Sequence, residues 1–299
     1  MTIKVANAPC SWGILEYEGM GDSLGYATVL DEMAEAGYKG TELGDWGFMP
    51  TDPELLSAEL NMRGLAMLGA FVPVRLADPD ALEDGLKEAL KVAHLLAAVG
   101  DKPRIVLSDD NASESHRRRF AGRIRPEHGL NRDELTNFAQ RADFVARQVF
   151  EETGLLTVFH HHCAGFIETP DEVSAFLDNT SSEVVGLCLD TGHFHYGGGD
   201  ARAALSWYGE RVWHVHFKDC HHQIAARARR DEVDYFEAVR RGVFCELGHG
   251  EVDFSGIVAD LKGQKYEGWI VVEQDVLPDM GAPFQSAQRN RVFLRELGL

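Results

Sequence analysis

Acidic and imidazole side chains collect at a few short places that lie far apart in the chain. One stretch reads Thr41-Glu42-Leu43-Gly44-Asp45-Trp46. Another reads Phe159-His160-His161-His162, with Glu168 six residues further on. The others are Leu189-Asp190-Thr191-Gly192-His193, then His214-Val215-His216-Phe217-Lys218-Asp219, and finally Val272-Glu273-Gln274-Asp275. Each closes a short β-rich run. Oxygen donors joined by an imidazole suit a divalent cation such as Mn²⁺, Mg²⁺, Co²⁺ or Fe²⁺. Structural zinc sites favour grouped cysteines, whereas Cys10, Cys163, Cys188, Cys220 and Cys245 are scattered. Strand alternation sends His214 and His216 to the same side. It must also turn at least one of His160, His161 and His162 inward. Each piece has a plainer reading. A strand-end Asp190 before Thr191 can serve only as a helix cap, and a single histidine is more often a satisfied core residue. The coincidence at several strand ends is what points to a site.

The elements that must position these residues alternate. Strand-like runs fall at 4–9, 40–43, 65–72, 104–107, 156–160, 184–189, 212–217 and 269–272. Helix-like segments lie between them, at 24–36, 52–63, 79–99, 132–152, 170–177, 201–208, 233–240, 255–261 and 284–297. Strands alternating with helices imply a parallel sheet with helices outside it. Eight such units predict an α/β fold of the closed (β/α)8 type, whose active site lies at the C-terminal strand ends. A doubly wound open sheet would show a glycine-rich phosphate turn after its first strand. Here that strand ends Pro9-Cys10-Ser11-Trp12-Gly13. Two segments, 109–131 and 218–250, exceed ordinary loop length and follow strands, so they are expected over the barrel mouth. Their arginines suit either a solvated, salt-bridged face or a lid that orients a polar substrate.

Length and charge set the bounds. The 299 residues, 44% of them hydrophobic, allow one large barrel domain spanning 1–299. The 29 basic and 48 acidic residues leave a formal charge of −19, which repels nucleic-acid backbones and anionic membrane surfaces. No apolar run is long enough to span a bilayer. The N-terminus, MTIKVANAPC, lacks an export-signal layout, so a cytoplasmic location is expected. An odd number of dispersed cysteines argues for free, mostly buried thiols.

The stretches VGLCLDTGH (185–193), WHVHFKD (213–219), GHGEVDF (248–254) and GWIVVE (268–273) resemble the xylose-isomerase-like (β/α)8 superfamily of sugar isomerases, epimerases and dehydratases. The stretches NAPCSWG (7–13) and FHHH (159–162), followed by ETP (168–170), are most similar to its inosose dehydratase branch. The resemblance implies a TIM barrel binding one divalent ion, Mn²⁺ or Co²⁺ foremost, with Mg²⁺, Fe²⁺ or Zn²⁺ as options. Asp190, His216 and Glu273 match three ligand positions of the family. The position of its strand-five Glu holds His160 instead, so Glu168 is the expected fourth ligand and His160 the alternative. The implied substrate is a small polyhydroxy ketone. The expected reaction is dehydration of 2-keto-myo-inositol, by removal of the proton beside the carbonyl and loss of water. Keto-sugar isomerisation or epimerisation through the same enolate is the alternative, and a non-catalytic sugar-binding barrel is the second. In this reading Glu168 and Glu273 hold the ion and one of them doubles as base, while His193 assists hydroxyl departure. His162 and Lys218 hold substrate oxygens, and Trp12 and Trp46 either wall the pocket or simply pack at the barrel top. A homodimer or homotetramer is the expected assembly, with neither nucleic acid nor membrane as partner.

Overall fold

The computed structural model describes residues 3–14, 24–275 and 281–299. Its strands are β1 (Lys4–Asn7), β2 (Gly40–Glu42), β3 (Ala66–Pro73), β4 (Arg104–Ser108), β5 (Thr157–His160), β6 (Val185–Asp190), β7 (Val212–Phe217), β8 (Asp219–Cys220), β9 (Phe244–Cys245) and β10 (Trp269–Val272). Eight of them close a parallel barrel in the order β1-β10-β7-β6-β5-β4-β3-β2, and β8 and β9 form a separate antiparallel pair. All eight barrel strands coincide with the expected runs to within a few residues. The fold is a (β/α)8 TIM barrel.

The helices are α1 (Tyr26–Ala36), α2 (Pro53–Arg63), α3 (Leu82–Val99), α4 (Ser115–Phe120), α5 (Arg132–Thr153), α6 (Pro170–Asp178), α7 (Thr191–Tyr196), α8 (Ala201–Tyr208), α9 (His222–Arg230), α10 (Tyr235–Arg240), α11 (Phe254–Gly263) and α12 (Pro283–Glu296). Local sequence explains their ends. Asn131 and Glu134 form a capping box at the start of α5, and Gly154 closes it with a left-handed φ of 73°. Thr169 and Glu172 do the same for α6, with Pro170 in its first turn. The face of α5 that carries Phe138, Ala139, Ala142, Val145, Ala146 and Val149 is buried against the barrel at helical spacing.

The two long segments are not plain loops. The first contains α4. The second contains α9, α10 and the β8–β9 pair. They share a small core of their own, in which Ala121 from the first meets Ala225, Ala228, Tyr235 and Val239 from the second, with Cys163 and Tyr196 from the barrel top. Backbone-directed arginines stitch them together. Arg123 donates to Val233 O at 2.8 Å, and Arg229 donates to Gly122 O at 2.7 Å. The fully buried Arg117 grips the Glu172 carboxylate with two nitrogens, at 2.8 and 3.0 Å. Asp219 explains the glycines of the GHGEVDF stretch. Its carboxylate accepts from the amides of Cys220, Gly248, Gly250 and Val252. A Cβ on Gly250 would stand 2.2 Å from Asp219 Oδ1.

Candidate metal centre and pocket

The strand register brings the expected cluster together. Asp190 is level with His216, and His160 with Cys188. Val271 is level with His216, so Glu273, just past the end of β10, comes beside them. His160, Asp190, His216 and Glu273 each offer a donor atom, and these atoms lie within 4.8 Å of one another. His160 Nε2 is 3.7 Å from Asp190 Oδ2, and His216 Nδ1 is 3.2 Å from Glu273 Oε1.

Two donor atoms in this cluster, Asp190 Oδ2 and His216 Nδ1, are buried without a hydrogen-bond partner, and so is Nδ1 of the His160 ring whose Nε2 faces Asp190. Leaving such atoms unsatisfied is costly unless a cation takes them. Asp190 in fact does both jobs that its sequence allows. Its Oδ1 accepts from His193 N at 2.8 Å and caps α7, while its Oδ2 faces the cluster. Glu42 fixes the His216 ring. Glu42 Oε1 accepts from His216 Nε2 at 3.0 Å and from His214 Nε2 at 2.8 Å. Burial disfavours charge on the His216 imidazole, but Cys188, Glu273 and Glu42 outweigh it and hold the ring well above its usual range. On binding a cation the ring would keep its proton on Nε2 and offer Nδ1, the arrangement of a carboxylate–histidine–metal relay. Burial alone would raise the Glu42 carboxyl, but the two imidazoles outweigh it and hold it at about 2.

Lys218 reaches the same space from just beyond β7. Its Nζ lies 2.9 Å from Asp275 Oδ1, 3.3 Å from Glu273 Oε2 and 4.0 Å from Asp190 Oδ2. Burial opposes its charge, yet Asp275, Glu273 and Asp190 reverse that and hold the ammonium well above its usual range. His193 stands behind it, with Nε2 3.2 Å from Lys218 Nζ. His162 pairs its Nδ1 with Cys163 O at 2.5 Å, which puts the ring proton on Nδ1 and leaves the Nε2 lone pair free. Burial, His160 and Lys218 push His162 well below its usual range, so the ring is neutral. A cavity of about 70 Å³ lies above the cluster, bordered by His160, His162, Lys218, Glu273, Asp275 and Tyr235 among others.

Not every expected residue arrives there. Glu168 is fully buried, but its oxygens accept from Gly122 N at 2.7 Å and from Ala164 N at 2.8 Å. It clamps two mouth segments together, and the donor cluster holds the His160 ring in place of its carboxylate. Burial lifts the Glu168 carboxyl to about 7, against the lowering effect of Arg117 and the two amides. Trp12 is fully buried and donates Nε1–H to Glu32 at 2.6 Å, so it packs inside the wall and does not line the cavity. Trp46 is 41% exposed with Lys91 Nζ 4.5 Å from its ring centroid, and it too is outside the cavity lining. His193 does not line the cavity itself and stands behind Lys218 and His162, with its ring centroid 3.8 Å from that of His162. Sequence reasoning gave no role to Glu42, Asp275, Cys10 or Tyr235. For Glu42 and Asp275 the signal was present, since both are carboxylates at strand ends. Tyr235 arrives from α10, and nothing local marks it.

The sequence profile of the xylose isomerase-like TIM barrel matches residues 30–297. The chain belongs to that family. Over 98% of its length it is 32% identical to an inosose dehydratase of Geobacillus kaustophilus, covering 94% of that protein. It is 29% identical to an inosose dehydratase of Clostridium perfringens, with 98% of this chain and 97% of that protein covered. Among solved structures, the 3-keto-D-glucoside 4-epimerase of E. coli superposes with a TM-score of 0.69 at 18% identity, covering 99% of this chain and all of that one. A probable 3-DHS dehydratase of Bacillus anthracis superposes at 0.70 and 13%, covering 98% and 99%. At those identities the structural likeness speaks for the fold. Like other barrels of the xylose isomerase-like family, this one opens its cavity at the C-terminal strand ends. None of its described helices is long and apolar enough to cross a membrane.

Proposed function

We propose that this barrel is a metal-dependent dehydratase of a cyclic polyhydroxy ketone, 2-keto-myo-inositol being the preferred candidate. The observation that carries the reading is the convergence of His160, Asp190, His216 and Glu273, with buried donor atoms that no protein group satisfies. Two imidazoles and two carboxylates fit Mn²⁺, Co²⁺, Fe²⁺ or Zn²⁺, and suit Mg²⁺ less well because it favours oxygen donors. Full-length similarity to proteins named inosose dehydratase supports the substrate class.

Once bound, the ion supplies Lewis-acid polarisation of the ketone and its neighbouring hydroxyl. The chain's own residues do the rest. His162 Nε2, the free lone pair at the cavity edge, takes the proton from the carbon beside the carbonyl. The electron pair left behind forms the enolate. Lys218, held charged by its three carboxylates, stabilises the developing negative oxygen. As the enolate carbonyl re-forms, the hydroxyl on the next carbon departs and takes the proton from His162, which returns to its neutral form. One water leaves, and no other reactant is needed. His193 positions Lys218. Glu168 shapes the mouth from outside the reacting group.

Incubating the Mn²⁺-loaded protein with 2-keto-myo-inositol tests this. New ultraviolet absorbance of a dione with release of water is expected. Replacing His162 by Gln should lower kcat by about 10²–10⁴-fold at unchanged metal content. An epimerised ketose without water loss would turn the assignment to an epimerase, and tight binding without turnover would turn it to a sugar-binding barrel.

A further inference from the structure

The barrel's other end is built unlike a packed core. The interior of such a barrel is usually filled by layers of bulky branched side chains. Here Ala6, Leu68 and Val271 form one part of the inner packing, and Val106, Val158 and Cys188 another. One alternation step below them, at the first residues of β1, β4 and β10, stand Lys4, Arg104 and Trp269. A register shift in β7 adds Trp213. The pairing runs Leu187↔Val212 and then Cys188↔His214, so the residue between them is a bulge. Its indole lies over Gly186, where a Cβ would meet the ring at 2.2 Å. These residues, with Lys102 and Tyr266, border a cavity of about 400 Å³. That volume falls within the range of small-molecule sites.

Its electrostatics run against the rest of the chain. Lys4, Lys102 and Arg104 have no ion-pair partner among the described residues, although the chain as a whole carries −19. Asp101 and Glu267 stand on the same border and pair with none of the three. The cations lean on aromatic faces instead. Lys4 Nζ is 5.0 Å from the Trp269 ring centroid, and Arg104 Cζ is 5.9 Å from that of Trp213. Arg104 is half-buried with no hydrogen-bond acceptor for its guanidinium. Lys102 is held at a left-handed φ of 54° between Asp101 and Pro103, which fixes the bend of the rim.

We propose that this cavity is a binding site for a ring-bearing organic phosphate, separate from the metal centre at the opposite end of the barrel. The three cations take the phosphate, Arg104 as a fork and the lysines as point charges. Trp213, Trp269 and Tyr266 take the flat face of the ring.

Calorimetric titration of the metal-loaded full chain with phenyl phosphate, against inorganic phosphate, tests the site. One saturable site that weakens with salt is expected, with phenyl phosphate bound at least about tenfold more tightly than inorganic phosphate. Arg104→Gln and, separately, Lys102→Gln should each weaken it by about tenfold. Lys102 is exposed, so its variant tests the site even if the Arg104 variant fails to fold. Keto-inositol turnover should be unchanged in Lys102→Gln, and phenyl phosphate binding unchanged in Asp190→Ala. Binding that survives both cation variants but vanishes in Asp190→Ala belongs to the metal centre and overturns the proposal. Equal affinity for inorganic and phenyl phosphate overturns the role of the aromatic wall, and no binding at millimolar concentration overturns the site.

Discussion

Glu42 borders the cavity but moves no proton in the proposed reaction, yet its removal should be felt at the cation. Its Oε1 receives the Nε2–H groups of both His214 and His216, and all three residues are buried. In Glu42→Ala the His216 ring loses what fixes its tautomer. Outer-shell partners of this kind are worth about 10–100-fold in metal affinity, or about 1.4–2.7 kcal/mol of cation binding. Two buried N–H donors are left unsatisfied as well, at about 1–3 kcal/mol each, so stability should fall by about 2–6 kcal/mol. Glu42→Gln separates the two effects. Its side-chain carbonyl can still accept from both rings, but the charge is gone, so stability should fall little while cation affinity falls by about tenfold. Chelator-competition titration with Mn²⁺ or Co²⁺ reads the first quantity, urea unfolding the second. Turnover should recover to within a few-fold once the ion is saturating. Unchanged cation affinity in both variants would refute the relay. So would a loss of kcat that no cation concentration restores, since Glu42 would then be acting on substrate.

Other substitutions probe single features. Asp190→Asn keeps an oxygen for the His193 amide but removes the charged donor. It should keep the helical content and lose bound cation and turnover together, as circular dichroism and metal analysis would record. Glu168 titrates at about 7 in the fold against an ordinary 4.5. Between those values the folded chain holds a proton that the unfolded chain has released, so stability should fall as pH rises from about 4.5 to 7, by up to about 3 kcal/mol. Urea midpoints at pH 5 and pH 8 measure that slope, and Glu168→Gln should flatten it; a slope unchanged in the variant assigns the titration elsewhere. Gly186→Ala drives a methyl into the Trp213 indole and should cost about 1–3 kcal/mol in thermal or urea unfolding.

The barrel was legible because each strand is a short apolar run ended by turn-forming or polar residues, and because the same pattern recurs eight times. Alternation was reliable inside strands. His214 and His216 do share a side, and both meet Glu42. Reading failed where loops decide. The six residues between His162 and Glu168 fold so that the carboxylate meets Gly122 N and Ala164 N, and no spacing rule contains the position of Gly122. Trp12 follows a strand end as a pocket residue would, but packing draws its indole onto Glu32. The three helices that periodicity missed are short. α7 opens Thr191-Gly192-His193, a poor helix sequence that forms because Asp190 caps it. Tyr235 reaches the cavity only because α4, α9 and α10 share a second core, a tertiary event without a local trace.

In the proposed metal-loaded enzyme, the two oxygens of Asp190 would tie a local helix to an ion. Because one begins α7 and the other faces the donor cluster, fraying of that first turn and release of a bound ion would become a single equilibrium. The amide proton of His193 is therefore a built-in gauge of occupancy. Its exchange with deuterated solvent should slow as the centre fills, even with no substrate in the tube.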